Sequence, residues 1–172
     1  ALTEWTPESS RAKLMEDVKN LIRRAESAHG GYNAVAGRKD GDPDLTSMTI
    51  GEIHKKYGDK AVGVGQFKRR YLLNNAKKYL GYDSKELDAL VFDRNIQEQF
   101  LEFGIQESGI DNYIAGTIDV SKFQANLAIR WRGLPPLGTS LKGDPSDEYG
   151  NIIQVPGSEA QEILELWKDF QN

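Results

Sequence analysis

Apolar residues recur at the spacing of α-helices through most of the sequence and predict a series of amphipathic helices. The first segment begins at Thr6-Pro7-Glu8. A capping hydroxyl, a proline at the first helical position and a carboxylate in the first turn all favour a helix start there. Gly30-Gly31 predicts the end of this helix. Its apolar face consists of Leu14, Met15, Val18, Leu21, Ile22 and Ala25.

Five further helical segments follow, and capping pairs or glycines mark several of their limits. One helix is predicted to begin at the pair Thr49 and Glu52 and to end at Gly58, and the next is predicted to end at Gly81. Two later helices are predicted to begin at the pair Asp83 and Glu86 and at the pair Ser158 and Gln161. The residues expected to face the core are Phe67, Tyr71, Leu72, Ala76, Tyr79 and Leu80, then Leu87, Leu90, Val91, Ile96, Phe100 and Phe103, then Phe123, Leu127, Ala128 and Trp131, and finally Ile163, Leu164, Trp167 and Phe170.

Two segments lack this helical periodicity. Residues 32–48 are polar and rich in Gly and Asp, which predicts a loop with at most a small β element. Residues 133–157 hold four of the six prolines and predict a long loop or flap, of the kind that is usually functional or mobile. The expected fold is therefore mainly α, a helical domain with a small β element near residues 32–48.

Length and composition narrow the classes of protein to consider. A chain of 172 residues suits one domain, 1–172, with a single core. The net charge of −4 offers no general attraction to nucleic acid, so we expect no nucleic-acid partner. The absence of cysteine excludes disulfides, zinc thiolate sites and cysteine nucleophiles. With only two histidines, His29 and His54, we expect no metal site and no cofactor.

One local basic cluster departs from this acidic balance. It consists of Lys68, Arg69, Arg70, Lys77 and Lys78, and we interpret it as the solvated surface of a helix. No apolar run approaches the roughly 20 residues of a transmembrane helix, so no membrane insertion is expected. The start, ALTEWTPESS, lacks the basic and apolar regions of a secretory signal. We therefore expect another route of delivery if the protein acts outside the cytoplasm, and we expect a monomer.

The stretch AVGVGQF, residues 61–67, resembles a phosphate-binding loop only superficially. The dinucleotide fingerprint requires a third glycine, a preceding buried strand and a later acidic residue, whereas the preceding residues here are HKKYGDK. No Gly-Lys-Ser/Thr follows, so the loop of the nucleoside triphosphatases is excluded as well. Gly63 and Gly65 therefore serve another purpose, either tight packing or the close approach of a different ligand.

Glu26 is the strongest candidate for a catalytic residue. It follows Ile22 by four residues, at the edge of the apolar face and near the end of the predicted helix. Partial burial and the negative end of the helix dipole would both raise the pKa of its carboxyl group, as a general acid near neutral pH requires. The alternatives are an ion pair with Arg23 or simple exposure to water.

Several motifs, taken in order, resemble the lysozyme-like lytic transglycosylases. These enzymes carry a catalytic Glu-Ser ahead of an Ala-x-Gly-Leu-Met-Gln element that lines the sugar cleft. The phage lambda lysozyme family is similar over a longer span, about residues 14–137. The residues that carry the resemblance are Glu26-Ser27, Gly31-Tyr32-Asn33-Ala34-Val35, Ala61-x-Gly63-Val64-Gly65-Gln66-Phe67 and Trp131-Arg132-Gly133-Leu134-Pro135.

The chain also departs from the lambda-type pattern. That family has Asp where this chain has Asn33, and bulky Arg and Tyr where it has Val64 and Gly65. The first change removes a possible second carboxylate, and the second predicts a wider cleft. The downstream tyrosine element of the soluble transglycosylases has no clear counterpart.

The resemblance implies a lysozyme-like fold with a glycan cleft, and cleavage of the β-1,4 bond between N-acetylmuramic acid and N-acetylglucosamine. Glu26 would act as general acid and then as general base. Ser27 would orient Glu26 or cap the helix, and Tyr32 and Trp131 would stack on sugars or belong to the core. The residues implied in substrate binding are Ser27, Tyr32, Asn33, Gly63, Gly65, Gln66, Phe67 and Trp131.

Two other functions remain open at this point. A hydrolysing muramidase would take a second carboxylate from Asp40, Asp42 or Asp44. A non-catalytic glycan-binding or virion-structural module would keep the same fold without cutting. The expected partners are peptidoglycan glycan strands and, for a virion-associated enzyme, other virion proteins. The expected place of action is the bacterial cell wall, reached through a holin or with the phage particle.

Overall fold

The protein is mainly helical in the residues that the computed structural model describes, namely 7–27, 30–131, 133–134 and 155–171. Eight α-helices lie within these ranges: α1 (Pro7–Glu26), α2 (Ile50–Tyr57), α3 (Arg69–Asn75), α4 (Ser84–Asp88), α5 (Arg94–Glu107), α6 (Ile110–Ile114), α7 (Val120–Arg130) and α8 (Gly157–Glu165). Short 3₁₀ helices cover Gly31–Asn33, Leu45–Ser47 and Leu166–Gln171, and a π-helical segment covers Ala76–Leu80. The prediction of a mainly α fold is confirmed.

The core is built around the apolar face of α1. Leu14, Val18, Ile22 and Ala25 are fully buried, as their helical spacing predicts. This helix packs against α5, α6, α8 and the C-terminal 3₁₀ helix, so it lies at the centre of the bundle. Among the described residues, no helix combines the length and apolarity that a membrane span requires.

The β content of the described residues is limited to isolated bridges. Val35 pairs with Arg38 and with Val62, and Val62 pairs with Phe67. The segment 32–48, where a small β element was expected, otherwise holds parts of two 3₁₀ helices and turns. Most of the predicted flap, residues 135–154, lies outside the described residues.

Side-chain caps explain where several helices begin. Thr49 and Asp83 form the predicted capping boxes with Glu52 and Glu86, which confirms both helix starts. The prediction for the last helix was wrong: α8 begins at Gly157, with Pro156 rather than Ser158 before it. The helical region predicted after Asp83 consists of two helices, α4 and α5. A break leaves Val91 42% exposed, so its assignment to the core was wrong as well.

The end of the first helix differs from its prediction in a way that matters for the site. α1 ends at Glu26 instead of continuing to Gly30-Gly31. Gly30 instead has a left-handed backbone, with φ of 95°, and precedes the 3₁₀ helix Gly31–Asn33. Glu26 is thus the last helical residue, next to the carbonyl groups that end the helix.

α3 and α5 pack closely because Gly104 has no side chain. A Cβ atom built at Gly104 would lie 2.1 Å from Tyr71 Oη and 2.7 Å from a ring carbon of Trp131. The Tyr71 hydroxyl donates a hydrogen bond to the carbonyl oxygen of Phe100 at 2.6 Å, and burial raises the pKa of Tyr71. Tyr71 and Trp131 therefore occupy the space that a larger residue would need.

We expect Gly104→Ala to lower the free energy of unfolding by about 1–3 kcal/mol through this clash, although alanine is the better helix former. Tyr71→Phe removes the nearest atom and should therefore recover part of that loss. The recovery should be incomplete, because Tyr71 Cζ and Trp131 remain close. Urea unfolding of both single variants and the double variant measures the coupling. Strictly additive effects would show that the hydroxyl contact does not cause the loss.

Candidate functional site

Glu26 is buried at the C-terminal end of α1. Its residue surface is only 3% exposed, and Ala25 before it is fully buried. The backbone N–H of Gly133 donates a hydrogen bond to Glu26 Oε1 at 3.1 Å. Arg23, one turn earlier, forms its ion pairs with Glu16 and Glu98. Glu26 is therefore neither exposed to bulk water nor held by Arg23, the two alternatives that its position in the sequence allowed.

Glu26 borders a cavity of about 660 Å³. A volume of this size falls within the range of small-molecule binding sites. The cavity brings Glu26 together with the predicted site residues Gly65, Gln66, Phe67 and Trp131. The other lining residues are Ala61, Lys68, Arg70, Tyr71, Asn74, Ile129 and Arg130. Residue 26, the stretch 61–74 and the stretch 129–131, three separate parts of the sequence, thus meet at one surface.

The 61–67 segment reaches this cavity through a tight turn. Val62 and Phe67 exchange two backbone hydrogen bonds, of 3.0 and 2.8 Å, which close the turn at its base. Gln66 has φ of 48°, the only positive value for a residue other than glycine within the described residues. Such a left-handed conformation is costly for a side chain with a Cβ atom, and it points to a structural or functional constraint.

The Gln66 amide is held on one side and unsatisfied on the other. Its Nε2 group donates to the carbonyl oxygen of Gly63 at 3.0 Å. Its Oε1 atom is buried and accepts no hydrogen bond from the residues that the structure describes. A buried amide oxygen without a donor is costly, so this atom is a candidate acceptor for a group that enters the cavity.

The two glycines of the turn are explained by packing. A Cβ atom at Gly63 would lie 2.5 Å from Gln97 Oε1 and within 2.8 Å of the Phe92 ring. A Cβ atom at Gly65 would lie 2.6 Å from the Phe67 ring and 2.8 Å from a methyl carbon of Leu101. Gly65 lines the cavity and Gly63 is not among its lining residues. Both glycines therefore allow the turn to approach the core, and direct contact with a glycan stays a prediction.

Gln97 of α5 fastens the turn in place, and the sequence analysis missed it. Its Oε1 accepts from the Val64 N–H at 2.7 Å. Its Nε2 donates to the carbonyl oxygens of Tyr32 and Phe92, both at 3.0 Å. The residue is fully buried. Gln97 lies three and four residues before the buried Phe100 and Leu101, and this helical spacing is the sequence signal that could have indicated its role.

Phe67, Tyr71 and Trp131 form the aromatic floor of the cavity. The rings of Phe67 and Tyr71 stack at a centroid distance of 5.2 Å, and Trp131 meets Tyr71 edge-on at 6.3 Å. Trp131 Nε1 also donates to the carbonyl oxygen of Gly65 at 3.2 Å. Since Phe67 and Trp131 are each 2% exposed, they belong to the core and reach the cavity only with an edge.

Three other predicted site residues lie outside the described lining of this cavity. The Ser27 hydroxyl donates to the carbonyl oxygen of Arg23 at 3.1 Å, which caps the end of α1. The Tyr32 hydroxyl donates to Glu98 Oε1 at 2.5 Å. Asn33 lies in the 3₁₀ helix after Gly30, and its side-chain oxygen is buried without a hydrogen-bond partner among the described residues. His29 lies outside the described residues.

Tyr32 belongs to a charged network between α1 and α5. Burial alone would raise the pKa of Glu98, but hydrogen bonds from Tyr32 and Arg23 lower it below its ordinary value. Burial and the same carboxylate raise the pKa of Tyr32. The Arg94 guanidinium lies over the Tyr32 ring at 5.1 Å. This network fixes the segment that follows α1 and leaves Tyr32 committed to internal contacts.

The aspartates of the 40–44 loop do not join Glu26. Asp40 and Asp44 are exposed, and Asp42 is buried. Asp42 accepts hydrogen bonds from the Tyr57 hydroxyl, from Lys56 Nζ at 2.9 Å and from the Asp44 N–H at 2.9 Å. Mainly through the Tyr57 hydroxyl, these contacts lower the pKa of Asp42 to about 2. The aspartate therefore anchors its loop to α2.

Three basic residues line the cavity, and the sequence analysis had assigned two of them, Lys68 and Arg70, to a solvated helix surface. Lys68, Arg70 and Arg130 all line it, whereas Glu26 is the one carboxylic acid among its described lining residues. Within the described part of the chain, no group of three or more His, Asp or Glu side chains is placed to hold a metal ion.

Comparisons of this chain with protein-family models, with curated proteins and with solved structures found no match.

We expect Asp42→Asn to reduce stability at neutral pH by on the order of 1–2 kcal/mol. A folded-state pKa below the ordinary value of 3.8 stabilises the fold above about pH 4, and this stabilisation is lost as the pH falls towards 2. Asp42→Asn should therefore flatten the fall in stability over this interval. Urea unfolding between pH 7 and pH 2 provides the measurement.

The exposed neighbour Asp40→Asn serves as the matched control and should change little. If both variants showed the same acid dependence as the unchanged protein, the contacts of Asp42 would not stabilise the fold in this way.

Proposed function

We propose that this chain is a peptidoglycan lytic transglycosylase of the lysozyme-like superfamily, most similar in its motifs to the phage lambda lysozyme family. It would cleave the β-1,4 bond between N-acetylmuramic acid and N-acetylglucosamine. The observation that carries the proposal is the shared cavity of Glu26 and Gln66. These residues belong to two separate motifs of the resemblance, and they are 40 positions apart in the sequence.

The environment of Glu26 supports a role as general acid and base. A carboxyl group that is 3% exposed and lies beside a cavity is shielded from bulk water, yet a bound molecule in the cavity can reach it. In its protonated form, Glu26 would give its proton to the bridging oxygen as the bond to C1 of the muramic residue breaks. The departing sugar then carries the hydroxyl group at its C4 position.

The second step needs no further carboxylate from the protein. The Glu26 carboxylate would take the proton from the C6 hydroxyl of the same muramic residue, and that oxygen would bond to C1. The product is a 1,6-anhydro sugar, and Glu26 regains its proton. Because the nucleophile belongs to the substrate, the usual pair of glycosidase carboxylates is not required.

The charged groups around the cavity favour this reaction over hydrolysis. A hydrolysing muramidase would need a second carboxylate to activate water. Glu26 is the one carboxylic acid among the described lining residues, and Asp40, Asp42 and Asp44 are not part of that lining. Asp42 is also committed to Tyr57 and Lys56. These observations support a mechanism that uses a single acid.

Gln66 would position the sugar. Its buried Oε1 atom, which lacks a donor among the described residues, would suit an N–H or O–H donor of the glycan, such as an acetamido group. The natural substrate would be the glycan strands of the bacterial wall, either as a phage endolysin or as a virion-carried enzyme that also contacts other virion proteins.

We expect Glu26→Gln to abolish lysis of purified sacculi, with a rate loss of at least about 100-fold. The substitution keeps the shape of the side chain and its acceptor for the Gly133 N–H, but it removes the transferable proton. Turbidity loss of sacculi gives the rate, and thermal unfolding verifies the fold. Glu16→Gln, on the exposed side of the same helix, is the matched control and should retain activity.

If lysis survives Glu26→Gln, this residue is not the acid. If the unchanged protein binds sacculi and never releases fragments, the chain is a glycan-binding module instead.

Digestion of defined peptidoglycan should yield muropeptides that end in 1,6-anhydromuramic acid. Mass spectrometry separates them from hydrolysed products, because the anhydro form contains one water less. Reducing muramic acid as the sole product would replace this proposal with a hydrolysing muramidase. In that case, Asp40→Asn, Asp42→Asn and Asp44→Asn would be assayed for the missing base.

A further inference from the structure

The cavity beside Glu26 concentrates positive charge on a protein that is acidic as a whole. The chain has a formal net charge of −4. Lys68, Arg70 and Arg130 nevertheless line the cavity together, against the single carboxyl group of Glu26. Such a cavity attracts anions over about one Debye length, roughly 8–10 Å at moderate salt.

The basic residues near the cavity differ in whether they have acidic partners. Arg69 forms two hydrogen bonds to the Asp88 carboxylate, at 2.5 and 3.0 Å. Lys78 pairs with Glu107 at 3.4 Å. By contrast, Lys68 and Arg70 are exposed, and neither forms an ion pair or a side-chain hydrogen bond within the described part of the chain.

Arg130 is partly neutralised and therefore contributes less to this charge. Its guanidinium lies 3.5 Å from Glu107, which Lys78 also contacts. Among the described residues that line the cavity, the cations with no acidic partner are thus Lys68 and Arg70, one on each side of the paired Arg69 in the sequence.

We propose that Lys68 and Arg70 bind a carboxylate on the C3 arm of the muramic residue, and so select charged peptidoglycan strands over neutral N-acetylglucosamine polymers. This inference rests on the proposed function, because that function places a muramic residue beside Glu26. The arm leaves the sugar ring at C3, two carbons from the C1 atom where the bond breaks. A group on that arm therefore lies near the acid and within reach of residues on the same cavity.

The chemistry of the two side chains suits this ligand. A guanidinium presents a planar fork of N–H donors that fits a carboxylate, and an ammonium adds a mobile point charge. The carboxylate has two possible sources. In intact strands it belongs to the stem peptide, whereas in strands stripped of peptide it is the free carboxylate of the lactyl group.

Binding is measured in the Glu26→Gln background, so that no ligand is cut. Three ligands are compared by equilibrium binding at low and high salt: strands that carry stem peptides, strands stripped by an amidase, and the neutral N-acetylglucosamine hexamer. The test variant carries Lys68→Gln and Arg70→Gln together. The matched control is Lys77→Gln, an exposed cation of the same basic cluster that is not a lining residue of the cavity.

We expect the double variant to bind stem-bearing strands about tenfold more weakly at low salt, with a smaller difference at high salt. The control and the neutral hexamer should show no such loss. If stripped strands lose affinity as well, the lactyl carboxylate is bound; if only stem-bearing strands do, the stem peptide supplies the anion. An equal loss for the neutral hexamer, or the same loss in Lys77→Gln, would overturn the proposal.

The outcome also separates this inference from the proposed function. If the unchanged protein cuts sacculi and the double variant binds them normally, only the charge selection fails. If the double variant loses binding but the unchanged protein produces no anhydro fragments, the transglycosylase proposal fails while the charge selection holds. Thermal unfolding verifies the fold, and the single variant Arg70→Gln repeats the test should the double variant be unstable.

Discussion

The amide of Gln97 is the contact on which the arrangement of the site depends most. It is fully buried and joins three separate backbone segments through Val64, Tyr32 and Phe92. Each bond satisfies a backbone group that would otherwise be costly to bury. Together they hold the 61–67 turn and the segment after α1 against α5. The positions of Gln66 and Tyr32 therefore depend on this one side chain, together with the Val62–Phe67 bonds of the turn and the Tyr32–Glu98 hydrogen bond.

Local signals in the sequence were sufficient where the structure is decided locally. The capping boxes at Thr49 and Asp83 were predicted because their spacing alone defines them. The apolar face of α1 was predicted for the same reason, since its period is that of a helix. The end of α1 was not, because a glycine can either end a helix or begin the next turn, and Gly30 precedes a 3₁₀ helix.

The candidate site could be predicted only in part, for reasons that concern direction in space. The sequence indicated Glu26 and Gln66, and both line the cavity. The sequence could not show in which direction a Cβ atom at Gly63 or Gly65 would point. In the structure both directions face the core. The sequence also grouped Lys68 with Arg69 as one basic surface, whereas the partner of Arg69 is Asp88, 19 residues later. A distant partner of this kind leaves no local pattern.

The left-handed backbone of Gln66 affects the affinity that the cavity could have for a ligand. Folding sets this φ of 48° and ties Nε2 to Gly63, so the amide has one orientation at the start of an encounter. When a ligand fixes a glutamine side chain on an open surface, the loss of rotamer freedom costs up to about 1.5–2 kcal/mol of free energy. For Gln66, folding has already imposed both this entropy cost and the strain of the left-handed backbone. Any ligand that Gln66 recognised would therefore meet a preorganised side chain, whose entropy would no longer oppose binding.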